Sequence, residues 1–364
     1  MLIRELTLQG FRNIKRAQVK PNSNLNVLLG PNGAGKTNFC EGIYFMSTGE
    51  TLKGSRQNEL IGWNSDDLLV RAHLDNEDTV AVYLQPGESK TIKIDSKNAT
   101  QSDLRKKIPV LTFVPDDLYF VKGGPARRRK LIDDHLSLLD PNFTRIANDY
   151  ERELKKKNAL LKKEDPNEEF LNVLNRRLAE TGAELTYHRV RFIKALNEKL
   201  PDNYGRLTGG QREPLQFHYQ DIPGLDAEED ELQAYLAEEI EQSLDKEREI
   251  QTSVVGPHRH KISYRMKGRS MRKYGSQGEQ RSCITATKLA LLELYYQRFE
   301  EWPVLILDDI LSELDHDRGA SLLNRLPSGP QMFITATEKE ELFDNLPRSY
   351  TIYLIRDGRL QEEN

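Results

Sequence analysis

The sequence predicts an α/β P-loop nucleotide fold split by an inserted α-helical domain. Two observations place the nucleotide fold. A glycine loop follows an apolar run near the N-terminus, and a second apolar run, Val304 to Leu307, ends in the paired carboxylates Asp308 and Asp309. The third observation places the split. Between them lies a long, highly charged stretch with helical periodicity.

The glycine loop reads Gly30-Pro31-Asn32-Gly33-Ala34-Gly35-Lys36-Thr37, after the strand-like Asn26-Val27-Leu28-Leu29. A strand feeding such a loop, which then opens a helix over Thr37 to Ser47, aims backbone N–H groups at a polyphosphate. Lys36 is placed to reach the β and γ phosphates and to act in catalysis. The Thr37 hydroxyl is a candidate Mg²⁺ ligand. The candidate nucleotide contacts are Gly30, Asn32, Gly33, Gly35, Lys36, Thr37 and Asn38.

The segments Leu2 to Leu8, Leu25 to Leu29, Leu68 to Leu74, Thr79 to Leu84 and Val110 to Val114 read as strands. From about Arg127 to Leu200 the pattern is helical, punctuated by Pro141, Pro166 and Pro201. An acidic helical segment runs from Asp226 to Glu249. Strand character returns at Thr252 to Val255 and at Lys261 to Met266. The expected division is a head part over 1–115, a helical insertion over 116–250 and a second head part over 251–364.

The chain of 364 residues is 30% charged with a net charge of -4, so a uniformly basic surface is excluded. No apolar run is long enough to span a bilayer. The first residues read as a strand and not as a signal peptide, so a cytoplasmic protein without a membrane partner is expected. Cys40 and Cys283 both fall in predicted helices. They make no metal spacing and read as buried thiols.

Buried parallel strands read like Val304 to Leu307, and ligands sit at their carboxyl ends. Asp308 is a candidate Mg²⁺ ligand opposite Thr37, and Asp309 a candidate catalytic carboxylate on the attacking water. About thirty residues earlier, Tyr274-Gly275-Ser276-Gln277-Gly278-Glu279-Gln280-Arg281 precedes a long helix. Ser276 can cap it, and Gly278 admits a close ligand. Ser276, Gly278 and Gln280 are the candidate nucleotide contacts of this turn. One site needs only one phosphate loop, so the second points to the nucleotide of another subunit.

Taken in order, the glycine loop, this signature, the aspartate pair and Ser312-Glu313-Leu314-Asp315 resemble the ABC-type ATPase heads of the SMC group. Within that group the chain resembles the RecF family. The supporting strings are Phe11-Arg12-Asn13, Phe113 to Leu118, Val121 to Pro125 followed by Arg127 to Arg129, Val255 to Arg259, and Tyr274 to Arg281. The resemblance implies an ATP- and Mg²⁺-using, DNA-binding protein that dimerises with ATP. It further implies work with RecR and RecO to load RecA recombinase at gaps.

Three departures stand out. Asp309 occupies the place where transporter cassettes carry Glu, which predicts a weak ATPase. Thr335 stands near the place of their switch histidine, as a candidate γ-phosphate sensor. His260 stands where the family pattern usually has Asp, and no role is assigned to it. A transporter-type cassette is the alternative reading, and a small-molecule kinase a third. The missing switch histidine and the large insertion count against the first. The signature turn is superfluous in the second.

Between residues 122 and 163 there are twelve Lys or Arg against six Asp or Glu. Such a surplus suits sequence-independent contact with DNA phosphates, with Arg127, Arg128, Arg129 and Lys130 as the candidate residues. Only Phe143 and Tyr150 are aromatic there, which argues against base stacking.

Overall fold

The computed structural model describes residues 1–52, 56–140, 142–210, 214–313, 316–339, 343 and 349–363. The chain forms two compact units, Met1–Asp117 with Leu292–Asn364, and Leu118–Leu291. Among the described residues no helix is long and apolar enough to cross a membrane.

In chain order the first unit opens with β1 (Ile3–Phe11), β2 (Ile14–Val19), β3 (Leu25–Leu29) and α1 (Lys36–Thr48). It continues with β4 (Leu68–Leu74), β5 (Thr79–Leu84), β6 (Thr91–Ile94), β7 (Lys97–Asn98), α2 (Gln101–Lys107) and β8 (Val110–Phe113). The second unit holds α3 (Tyr119–Lys122), α4 (Pro125–Leu139), α5 (Phe143–Leu161), α6 (Glu168–Leu207), β9 (Leu215–Tyr219), α7 (Glu229–Gln242) and α8 (Leu244–Ile250). There follow β10 (Ile262–Met266), β11 (Arg269–Ser270), α9 (Met271–Tyr274) and α10 (Gln277–Phe299). The first unit then resumes with β12 (Val304–Leu307), α11 (His316–Arg325), β13 (Met332–Ala336), β14 (Tyr350–Arg356) and β15 (Arg359–Glu362).

The first unit carries two six-stranded sheets, ordered β2-β1-β4-β5-β6-β7 and β15-β14-β3-β13-β12-β8. Their sequence patterns differ for a physical reason. β4 alternates buried and accessible residues, as a half-covered antiparallel strand does. β3, β12 and β13 are buried throughout, as parallel strands covered on both faces are. Helix α1 joins the two sheets into one core. Its Phe39, Ile43, Phe45 and Met46 pack with Leu8 and Phe11 of β1, Val70 of β4, Ile306 of β12 and Phe333 of β13. Each such side chain, fully buried, contributes about 1.5–3 kcal/mol.

The parallel register sets the site. Thr335 of β13 pairs with Leu28 of β3, and Ile334 pairs with Leu307 of β12. β13 therefore lies between the strand that feeds the glycine loop and the strand that ends in Asp308, and all three carboxyl ends reach one level.

Two expectations are corrected. Thr252 to Val255 is not a strand. Its central N–H groups are taken by side chains instead, Ser253 N donating to Asn158 Oδ1 at 2.7 Å and Val254 N to Glu247 Oε1 at 2.8 Å. Nor does Pro201 end a helix, because α6 runs through it to Leu207. Its buried face, including Leu196, Leu200, Tyr204 and Leu207, offsets the roughly 3 kcal/mol that an interior proline costs. Pro141 lies outside the described residues. Cys40 and Cys283 are buried free thiols, as expected, and burial pushes both pKa values up.

Candidate active site

The glycine loop turns because two of its residues take left-handed backbone angles, Gly33 at φ 80° and Gly35 at φ 116°. Gly35 is the N-cap of α1, and no side chain caps that helix end. The first-turn N–H groups therefore face an anion site. Gly30 is required for space: a Cβ there would come within 2.3 Å of Ile355 O. Lys36 Nζ donates to Gly30 O at 2.6 Å and Pro31 O at 3.1 Å, spanning the loop from inside. Burial lowers its pKa, against the opposing pull of Asp309 and Asp308.

Thr37 Oγ1 donates to Asp308 Oδ1 at 3.0 Å. The two candidate Mg²⁺ ligands, remote in sequence, are thus adjacent. A hydroxyl and a buried carboxylate make the oxygen donor set that Mg²⁺ takes together with phosphate oxygens. Asp309 is exposed and holds φ 53°, a left-handed angle that Asp adopts more readily than most non-glycine residues. Its N–H donates to Thr335 Oγ1 at 2.8 Å, and its Oδ1 accepts from Ser312 Oγ at 2.7 Å. Thr335 Oγ1 in turn donates to Asp308 Oδ1 at 3.0 Å. Thr335 is buried behind the aspartates, with its hydroxyl bonded to both. Leu314 and Asp315 of the string after Ser312 lie outside the described residues.

Asn32 is an exposed residue of the loop. Asn38 Nδ2 donates to Asn13 Oδ1 at 2.9 Å, and Asn13 Nδ2 donates to Ala34 O at 3.2 Å. Asn13 was visible in the Phe11-Arg12-Asn13 string without a role. It braces the loop from the β1–β2 turn. Beside it, Arg12 pairs with the buried Glu41 of α1, Nε to Oε2 at 2.8 Å. A groove of about 450 Å³ opens here, lined by Arg12, Asn13, Lys15, Asn38 and the fully exposed Trp63.

In the second unit the signature turn is a capping box. Ser276 N donates to Glu279 Oε2 at 2.7 Å, and Glu279 N to Ser276 Oγ at 3.3 Å. Ser276 is exposed, and Gly278 follows in the first turn of α10. Gln280 is buried and points inward, its Nε2 donating to Met271 O at 2.9 Å and Gly275 O at 3.0 Å. It braces the turn from inside. His260 is buried on Tyr219, Nδ1 to the phenol oxygen at 3.0 Å.

The basic cluster is corrected in part. Arg128 is buried, its NH1 donating to Gly123 O at 2.7 Å and Val121 O at 3.2 Å, and its Nε bonding to Ile262 O. That guanidinium is held inside the unit by backbone carbonyls, which argues against its meeting DNA phosphates. Arg129 is half-buried, with NH1 on His260 O at 2.8 Å. Arg127, stacked on Tyr119, and Lys130, paired with Asp134, are exposed. Along α5 the surplus is spent locally: Arg145 and Arg152 pair with Asp149, Lys155 with Glu151 and Lys156 with Glu153.

A glycine loop opening a helix, paired aspartates at the end of a neighbouring parallel strand and a separate signature turn define a P-loop ATPase head of the SMC type. The chain belongs to the RecF family. The family described as "RecF/RecN/SMC N terminal domain" matches residues 2–361. The chain is 31% identical to "DNA replication and repair protein RecF" of Lactobacillus acidophilus, with 100% of both chains covered. It is 33% identical to the protein so named from Streptococcus thermophilus, covering 100% of this chain and 99% of the relative. Among solved structures, that of the recombination mediator protein RecF-ATP in the RecFOR pathway matches with TM-score 0.90 and 28% identity, covering 100% of this chain and 97% of the other. An Smc head bound to the C-terminal winged-helix domain of ScpA shares the fold, with TM-score 0.56 and 16% identity.

Proposed function

We propose that the chain is an ATP-dependent DNA-binding protein of recombinational repair and replication restart. In this reading it dimerises with ATP, hydrolyses it slowly, and with RecO and RecR helps load RecA recombinase at single-stranded gaps and supports the SOS response. The observation that carries it is the meeting of Thr37 and Asp308 at 3.0 Å beside Lys36 and Asp309. The family relationship supports the DNA-repair context, and the name of the RecFOR pathway on the similar structure supports RecO and RecR as partners.

Thr37 and Asp308 would hold Mg²⁺, which with ATP supplies the charge neutralisation that phosphoryl transfer needs. The loop N–H groups and Lys36 bind the phosphates. The groove beside Asn38 is of a size to take the nucleoside. Asp309 orients water. Ser276 and Gly278 serve the γ-phosphate held by a second copy of the chain. The functional division is 1–115 and 251–364 as ATPase head and 116–250 as insertion.

The test is solution mass by light scattering. It should double with ATP in the wild type and stay monomeric in Lys36→Met, which removes the loop's cation while leaving the fold. Ser276→Arg should bind ATP and remain monomeric. A wild-type mass unmoved by ATP overturns the reading.

A further inference from the structure

We propose that the open face of the β9–β10–β11 sheet, together with α9, binds the sugar-phosphate backbone of DNA. The inference rests on the DNA-binding reading above and gives it a surface.

The hairpin is built for exposure. Lys267 and Gly268 join β10 to β11 with φ 49° and 75°, the two positive angles of a type I′ turn. Alternation then separates two faces. Phe217 and Tyr219 of β9 and Ile262 and Tyr264 of β10 point inward and are buried. His218, Ser263 and Arg265 point outward, with Ser270 opposite Arg265. Arg269, Lys273 and Tyr274 stand beside them around a depression of about 730 Å³.

The charge is mostly positive, with Lys261 paired to Asp221 at 3.8 Å. Residues 261–273 hold six Lys or Arg, and no carboxylate occurs from Ile250 to Gly278. Arg269, Arg272 and Lys273 are exposed, and Tyr274 is 71% exposed. This contrasts with α5, where acids three or four residues away neutralise most of the cations. Polyanion binding by release of counterions favours cations that are not already paired, and Arg269, Arg272 and Lys273 make no ion pair among the described residues, so this face is the better surface. An exposed tyrosine at its rim adds a face on which an unpaired base can stack. The surface is also tied to the signature turn. The Gln280 side chain clasps Met271 O of α9 and Gly275 O together, so α9 and Ser276 move as one piece.

The experiment measures binding of a labelled duplex and of the matching single strand by fluorescence anisotropy across a salt series, with ATP present. Arg269→Glu/Lys273→Glu should weaken both at least about tenfold and lower the salt slope by about two for duplex, since each phosphate contact contributes about 0.9. The milder Lys273→Gln should lower the slope by about one and guards against misfolding of the double variant. Tyr274→Ala should weaken the single strand alone. ATP binding by the variants should be unchanged. Wild-type affinity and slope in both charge variants would overturn the surface while leaving the DNA reading intact. Failure of the wild type to bind either DNA would overturn both.

Discussion

The Thr335 hydroxyl accepts the backbone N–H of Asp309 at 2.8 Å while donating to the Asp308 carboxylate at 3.0 Å. One buried side chain on the middle strand thereby fixes the left-handed backbone at one aspartate and the side-chain orientation of the other. Thr335→Val keeps the shape and removes both bonds. The orphaned N–H costs about 1–3 kcal/mol, and its relief frees Asp309 to move. We expect ATP affinity within a few-fold of wild type and hydrolysis slowed at least about tenfold, since misplacement of about an ångström costs on the order of a hundredfold. Calorimetric titration and single-turnover hydrolysis separate the two.

The two aspartates should part company on neutralisation. Asp309 is exposed and contacts Ser312, whereas Asp308 receives both Thr37 and Thr335. Asp309→Asn should bind ATP, hold the dimer and release it slowly, with hydrolysis down about a hundredfold or more. Asp308→Asn should weaken Mg²⁺-dependent ATP binding itself. Turnover and dimer lifetime measured side by side decide the matter. Normal hydrolysis in Asp309→Asn would remove its catalytic role.

Neighbouring arginines should behave oppositely. Arg128→Ala strands the carbonyls of Gly123 and Val121 in the interior, so we expect a loss of about 2–4 kcal/mol in urea unfolding. Arg127→Glu and Lys130→Glu, being exposed, should leave the urea midpoint unchanged.

Acid should loosen the second unit before the pH reaches ordinary carboxylate values. Burial pushes His258 down to about 4; the backbone bond from Ser253 resists this, and the nearby Arg259 and Arg129 add to it. Burial, Arg189, His258 and Arg129 push His260 down to about 3. The unfolded chain takes up these protons near the ordinary value of about 6.5, and the folded chain resists. Stability from this source is therefore full above about 6.5 and falls as pH drops toward the folded values. By about pH 5 the loss should be roughly 2 kcal/mol per histidine. Urea midpoints across this range check it, and His260→Asn should flatten the slope.

The head was legible because its signals are local. A five-residue buried strand before the glycines, and Val304 to Leu307 before the aspartates, each announce themselves by composition. The adjacency of Thr37 and Asp308 followed from where parallel strands end. What the sequence hid depends on partners far along the chain. Arg128 looks like its neighbours until the carbonyls of Gly123 and Ile262 surround it. Gln280 looks like a signature polar group until it turns inward. The Ser253 to Val255 run has strand composition, yet Asn158 and Glu247 take its N–H groups. Short strands such as β9, set in a polar stretch, had too few residues to show a period.

The brace on the glycine loop has a consequence for how the molecule is made. Ala34 O accepts the N–H of Gly358 at 2.9 Å as well as the Asn13 amide, and Ile355 O packs against Gly30. Gly358 fits only because it has no side chain, since a Cβ would come within 2.1 Å of Asn13 O. The loop is synthesised early, and part of its clasp comes from residues made at the far end. Closing so long a stretch of chain is entropically costly and slow. A nascent chain on the ribosome, or one clipped before β14, therefore carries the glycine motif without a finished site. A chain truncated before β14 should therefore bind nucleotide more weakly than the full-length chain.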